Sequence, residues 1–488
     1  MTAAFSVSTP STAAASSTAA SSAAVRPLVA GAVQVTNSEI PPTQAQCASR
    51  GRRCFAPRPF RASYGLEGLQ NQGAGKTIAV IDAFGDPNME HDLHVFDKAF
   101  GFTPMCGEEG VSGAACSGLG TFKRLNLGGS VYHVIPGKGT TGLQDSSGWA
   151  IETALDVEWA HTMAPKANVI MVTTPTAETL GVQGFPSIFK GIDYLSNNHL
   201  ADVISMSLGS GEEAFGSPQN LYNFEKTLQN ARAHHVTVLA SSGDGGPENS
   251  YKTPVKNPRP IPGQSVGFPA SSPLVTAVGG TNLCTDPATG KTVDNVSPPV
   301  ACQISPAQRE VAWSGSGGGF SHVFGRPSYQ STLPAGSAAF PAGAGRGLPD
   351  VSLNAAPRTG VLEYVSAPGT GPYFQCPDTM TACSAGWYVI GGTSASSPEL
   401  AGIVALADEA AGHDLGFINP ALYRMANKPA THATDFFDVT VGNNQQPGST
   451  TPGFNAGPGW DAVTGLGTPG FNGPKFIADL AAEVKSTD

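Results

Sequence analysis

Short apolar runs alternating with helical patterns predict an α/β fold with a mostly parallel central sheet flanked by helices. The runs are KTIAVIDAF (76–84), NVIMVTT (168–174), DVISMSLG (202–209), HVTVLASSGD (235–244) and LVTAVGG (274–280), all rich in β-branched residues. Helical periodicity lies between several of them, at 148–163, 186–198 and 219–234. Strands spaced by helices pair in parallel, because a parallel neighbour needs a long crossover. Hydrophobic residues make up 40% of the 488, including 23 Phe and 10 Tyr, so a core can form and general disorder is excluded.

Taken in order, residues 1–55 are expected to be a low-complexity, disordered lead, Ala/Ser/Thr-rich to about residue 45. No basic residue precedes Arg26 and no long apolar stretch follows, so neither a signal peptide nor an inhibitory prosegment is recognisable there. Residues 56–488 are expected to form one domain, with 83–147 and 245–345 as long, turn-rich surface excursions. The 60 Gly and 40 Pro fit that abundance of turns. Charged residues are 13%, about half the usual share, and the net charge is −10. No basic block occurs, which argues against nucleic acid as a partner. No run reaches the ~20 apolar residues of a membrane span. With 27 Lys+Arg and 10 His, self-repulsion in acid is mild.

Eight cysteines fall as four neighbour pairs, Cys47/Cys54, Cys106/Cys116, Cys284/Cys302 and Cys376/Cys383. Local disulfides in an exported protein are expected, although eight cysteines allow ~105 connectivities and spacing does not choose among them.

Three motifs carry chemistry. In GGTSASSPELAGIVALADEAAG (391–412), Ser394 precedes a helical pattern with Pro398 near its start. A serine there sits where free amides favour developing negative charge. In SSGWAIETALDVEWAHTMAP (146–165), Glu152 and Asp156 are one helical turn apart. They share a stripe with Trp149, Trp159, Ala160 and Met163, while Glu158 faces the other way. Two like charges on an apolar stripe are poor helix design, and such conflicts mark functional sites. In SSGDGG (241–246), Asp244 lies in a Gly-rich turn at a strand C-terminus, where α/β sites form.

The Gly-Thr-Ser-x-x-x-Pro context resembles two families, the subtilisins and the sedolisins (serine-carboxyl peptidases). None of the ten histidines stands in the His-Gly-Thr-His context of a subtilisin base, and Asp82, which resembles the subtilisin Asp, has no such partner. The Glu-x-x-x-Asp spacing, the Ser-Gly-Asp turn, EVAWSGSGGGFS (310–321) and PDVSLNA (349–355) resemble sedolisins over roughly 56–485. The resemblance implies a subtilisin-like three-layer fold. It implies Ser394 as nucleophile, Glu152 as base and acid, Asp156 as its partner, and Asp244 in the oxyanion hole. It implies Ser207, Leu208 and Gly209 as the segment pairing with substrate backbone. It implies one structural calcium on Asp438, Val439, Gly457, Gly459 and Asp461, a hard-oxygen set. The expected activity is acid endopeptidase action on proteins and peptides by a secreted monomer. A tripeptidyl-peptidase of the same family and an inactive binding homologue are the alternatives. Chemistry agrees: a histidine is protonated in acid, whereas a carboxylate near ~4 still accepts a proton there.

Overall fold

The structure is a computed structural model and describes residues 30–128, 141–175, 184–251, 259–366 and 385–485. In chain order the main elements are β1 (Ala30–Thr36), α1 (Gln44–Ser49), α2 (Pro57–Ser63), β2 (Thr77–Ala83) and α3 (Met89–Phe100). Next come β3 (Phe122–Asn126), α4 (Thr141–Met163), β4 (Asn168–Thr174), α5 (Phe185–Asn197), β5 (Val203–Met206), α6 (Glu225–Ala233) and β6 (Thr237–Ser241). Then follow β7 (Thr276–Leu283), β8 (Glu310–Ala312), β9 (Val351–Asn354), β10 (Val361–Val365), β11 (Gly386–Gly391), α7 (Thr393–Ala411), α8 (Asn419–Ala426) and α9 (Gly473–Lys485).

The central sheet has the order β8–β7–β6–β5–β2–β4–β3, with β9 also paired to β7. All these pairings are parallel except β7 with β8. Strand alternation divides the core into two faces. Ile78 and Val80 of β2 join the α4 and α7 side, whereas Ala79 and Ile81 join the α5 side. That is the expected helix–sheet–helix layering. A second, antiparallel sheet, β1–β11–β10, covers the outer side of α4. Helix α4 is consequently buried all round from residue 148 to 163, including Glu158, whose Oε2 accepts from the Tyr364 N–H at 3.1 Å. Helices α4 and α7 touch through Gly402, where a Cβ would meet the Met163 Cβ at 2.3 Å. Only glycine allows that approach.

Three expectations are corrected. The lead is not unstructured throughout: its residues 30–36 form β1, with Val33 opposite Val389, and Thr43 caps α1. Its composition hides this because pairing with the distant β11, not local propensity, makes the strand. The excursion 83–147 contains α3 and β3, and β3 completes the edge of the central sheet. Its sequence FKRLN has a single deeply buried side chain, so no alternation announces it. Helical residues 219–234 are broken into Pro218–Tyr222 and α6. Disulfides join Cys47–Cys54, Cys106–Cys116 and Cys284–Cys302. Cys376 and Cys383 lie outside the described residues.

Candidate active site

Three neighbouring strands deliver polar residues at their C-terminal ends, on the face covered by α4 and α7. Asp82 ends β2, Ser207 follows β5, and Ser241 ends β6 ahead of Asp244. This is where an open parallel sheet places ligands. Strand β11 leads into Gly392, whose φ of 108° suits glycine, and Ser394 then sits in the first turn of α7. Ser205 Oγ and Ser397 Oγ, 2.8 Å apart, and a bond from Ser241 Oγ to the Thr393 carbonyl at 2.8 Å fasten the start of α7 to the sheet.

Glu152 and Asp156 face this corner, both fully buried. Burial, then the charges of Asp156 and Asp82, hold the Glu152 carboxyl well above the usual range, and hydrogen bonding with the Ser394 side chain pulls the other way. Burial and Asp82 likewise raise Asp156, opposed by Ser207. Ser207 Oγ donates to Asp156 Oδ1 at 2.7 Å. Asp156 Oδ2 and both Glu152 oxygens are buried without a hydrogen bond of ordinary geometry. Among the described residues, the groups that act on Glu152 are three carboxyls and the Ser394 hydroxyl, with no histidine among them.

Asp244 is held by the residue next to Ser394. Its Oδ1 accepts from the Thr393 N–H at 2.7 Å and from Thr393 Oγ1 at 3.0 Å. Its Oδ2 is buried and makes no hydrogen bond. Burial pushes this carboxyl up to about 7, against the two Thr393 bonds. Below that value it is a neutral acid, and with Oδ1 already accepting twice, Oδ2 is the oxygen left to carry the proton and donate it.

The structure thus brings together Ser394, Glu152, Asp156 and Asp244, and adds Asp82, which the sequence reading set aside for want of a histidine. Asp82 is fully buried, and burial raises it to about 7, with only the Thr153 hydroxyl opposing. Alternation along β2 was the available signal: Ile78, Val80 and Asp82 share a face. Leu208 is buried beyond β5, and the Ser207 side chain turns inward to Asp156.

Far along the chain, the positions expected to hold calcium lie in neighbouring loops. The Gly459 N–H donates to Asp438 Oδ2 at 2.8 Å and the Gly457 N–H to Asp461 Oδ2 at 3.1 Å. Asp438 Oδ1 is buried without a partner, and burial lifts Asp461 to about 7. Among the described residues no cluster of three or more His, Cys, Asp or Glu is placed to hold a metal, so a cation here would rest on two carboxylates and backbone carbonyls. Asp438 Oδ1 is the open oxygen that a hard cation could use, whereas both Asp461 oxygens already accept from the Gly457, Val463 and Thr464 N–H groups and the Thr464 hydroxyl.

A family model described as the subtilase family matches residues 142–426. Kumamolisin from Bacillus sp. (strain MN-32) is 28% identical over 435 residues, covering 87% of this chain and 64% of that protein. Tripeptidyl-peptidase 1 from Homo sapiens is 30% identical over 373 residues, covering 73% of this chain and 56% of that protein. The chain therefore spans about three-fifths of the length of these curated relatives. Among solved structures, Pseudomonas sedolisin, a serine-carboxyl proteinase complexed with two molecules of pseudo-iodotyrostatin, matches with a TM-score of 0.64 at 26% identity. The match covers 89% of this chain and 99% of that one. With a family model over more than half its length and a sedolisin matched almost end to end, the chain belongs to the subtilase family, on its sedolisin branch.

Proposed function

We propose that the chain is a serine-carboxyl endopeptidase that cleaves proteins and peptides in acid. Ser394 attacks the scissile carbonyl. Glu152 takes the serine proton and returns it to the leaving amine. Asp156 shares the remaining proton, so the two carboxyls titrate as a unit. Asp244 donates from Oδ2 to the developing oxyanion. The observation that carries this reading is the state of Asp244: its Oδ1 is saturated by Thr393 and its Oδ2 is bare beside the nucleophile's turn. A cavity of about 540 Å³, lined by Asp244, Gly245, Glu248, Asn249 and Gln446, opens next to it and supplies room for a substrate side chain.

Two conditions bound the working range. The acid pair must lose one proton so that Glu152 can act as base. Asp244 must keep its own, which fails above about 7. Activity should therefore peak below pH 6. The test is a pH–rate profile on denatured protein and on peptides with free and blocked N-termini. Hydrolysis of blocked peptides in acid, lost in Ser394→Ala, is the expected result. Hydrolysis retained in that variant overturns the nucleophile. Cleavage confined to free N-termini, with release of tripeptides, selects the second reading, which the tripeptidyl-peptidase relatives favour.

The same proposal includes a structural calcium held by Asp438 and Asp461 with the carbonyls of Val439, Gly457 and Gly459. Bound there, it supplies positive charge to a buried acidic loop. Three disulfides suit an oxidising compartment, so secretion as a monomer is part of the reading.

A further inference from the structure

Ser207 is fully buried, and its hydroxyl lies between two acceptors. One is Asp156 Oδ1 at 2.7 Å and the other is the Ser394 carbonyl oxygen at 3.2 Å. A hydroxyl has one proton to give. The Ser394 carbonyl is inside a helix, where the N–H four residues on would ordinarily occupy it. That residue is Pro398, which has no N–H. The sequence has removed the helix's own donor, and the Ser207 hydroxyl stands in its place.

Among the described residues, no cation acts on the acid pair to favour its ionised form. Asp156 faces Glu152 on its own helix, Asp82 from β2 and Glu363 from β10. Glu152 faces Asp244 from the turn after β6 and the Ser394 hydroxyl from α7. Among the described residues, the titratable groups that act on the pair are carboxyls. Neutral donors are what remain to stabilise a negative charge there, and Ser207 is the one that reaches Asp156.

We propose that Ser207 is a positioning residue for the acid pair, its hydroxyl stabilising the ionised pair and coupling it to the backbone of the nucleophile. This rests on the roles proposed above for Glu152 and Asp156. With the pair ionised, the Ser207 proton lies on Asp156 Oδ1. With Asp156 protonated on that oxygen, Ser207 accepts from it and turns its own proton to the Ser394 carbonyl. The charge of the pair is thereby read out at the turn that aims Ser394. The role belongs to the side chain and is separate from any backbone contact of residues 207–209 with substrate.

The test compares the full chain with Ser207→Ala and Ser207→Cys on heat-denatured casein, measuring kcat and KM from pH 2.5 to 7, with Glu152→Ala alongside. Cysteine keeps the volume but is a weak donor, so it carries the test if the alanine variant does not fold. Loss of one bond to a charged group should cut kcat roughly tenfold, with KM nearly unchanged. The acid limb should move to higher pH by about one unit, because the ionised pair has lost its donor. An unchanged kcat overturns the proposal. A fall in kcat with an unmoved acid limb also overturns it, since packing damage alone would do that. If Glu152→Ala remains active, the acid pair itself is misassigned, which is a separate failure from that of Ser207.

Discussion

Two groups of buried carboxyls in this molecule are built in opposite ways. Asp350 is fully buried, and the fold surrounds it with donors. Its oxygens receive Arg346 Nη2 at 2.6 Å, the Ala277 N–H at 2.8 Å and Tyr423 OH at 3.0 Å. Arg346 in turn donates to the carbonyls of Ser272, Gly347 and Val275. Asp82, Glu152 and Asp156 are just as buried, yet five of their six carboxyl oxygens make no ordinary hydrogen bond. The first group has donors on both oxygens, which oppose the rise that burial imposes on Asp350. The second is left open, so that protons decide its state. A buried charge supplied with every partner holds the fold, and one denied them is available for chemistry.

The sharpest way to break this comparison is to truncate both. Glu152→Ala should lower kcat by ~10²–10⁴ and leave the urea unfolding midpoint equal or higher, since a buried acid whose main neighbours are other carboxyls is removed. Asp350→Ala should cost ~3–5 kcal/mol in the same urea titration, because it strands the Arg346 charge. Equal stability of the two variants would erase the distinction.

A second prediction concerns pH. Burial raises Asp82 and Asp244 to about 7 in the folded chain, above the ~3.9 of an unfolded aspartate. A raised value means stability that is complete below ~4 and is lost as pH rises through about 7. The unfolding free energy from urea titrations should therefore fall from pH 4 to pH 7, by up to roughly 3 kcal/mol for each of the two groups. Asp82→Asn should flatten that fall, and a midpoint that rises instead would show that the cluster is solvated. Third, Gly402→Ala forces a methyl into the α4–α7 contact. It should cost ~1–3 kcal/mol in stability and reduce kcat as Glu152 and Ser394 separate. Fourth, chelation of calcium should lower Tm by about 2–6 °C, with no such drop in Asp461→Ala. An unchanged Tm after chelation, with metal content checked by elemental analysis, would leave those loops as plain glycine turns.

Much of the site was readable from the chain because its residues violate local rules. Glu152 and Asp156 repel on one helical stripe, and Ser394 opens a helix in a Gly-rich context. Such conflicts are visible without any tertiary structure. Asp82 was passed over because its importance depends on which face of β2 meets α4, a question of packing. Ser207 was read for its backbone, since nothing local shows that its hydroxyl reaches the Ser394 carbonyl, whose usual donor four residues on is replaced by Pro398. The central strands were legible from apolar β-branched runs. The edge strand β3 and the lead strand β1 were not, because one is polar and half-exposed and the other is held by its partner β11.

That last pairing has a practical consequence. Strand β1 covers one side of β11, and β11 runs directly into Gly392 and Ser394. Cutting the chain after Thr36 would not trim a tail. It would strip β11 of its neighbour and turn an interior strand into an open border, with bare N–H and C=O groups beside the nucleophile. A chain shortened in this way has a ready template for docking onto another molecule of itself. The first residues to preserve in any shortened version are therefore seven that sit more than three hundred and fifty positions from the serine whose strand they flank.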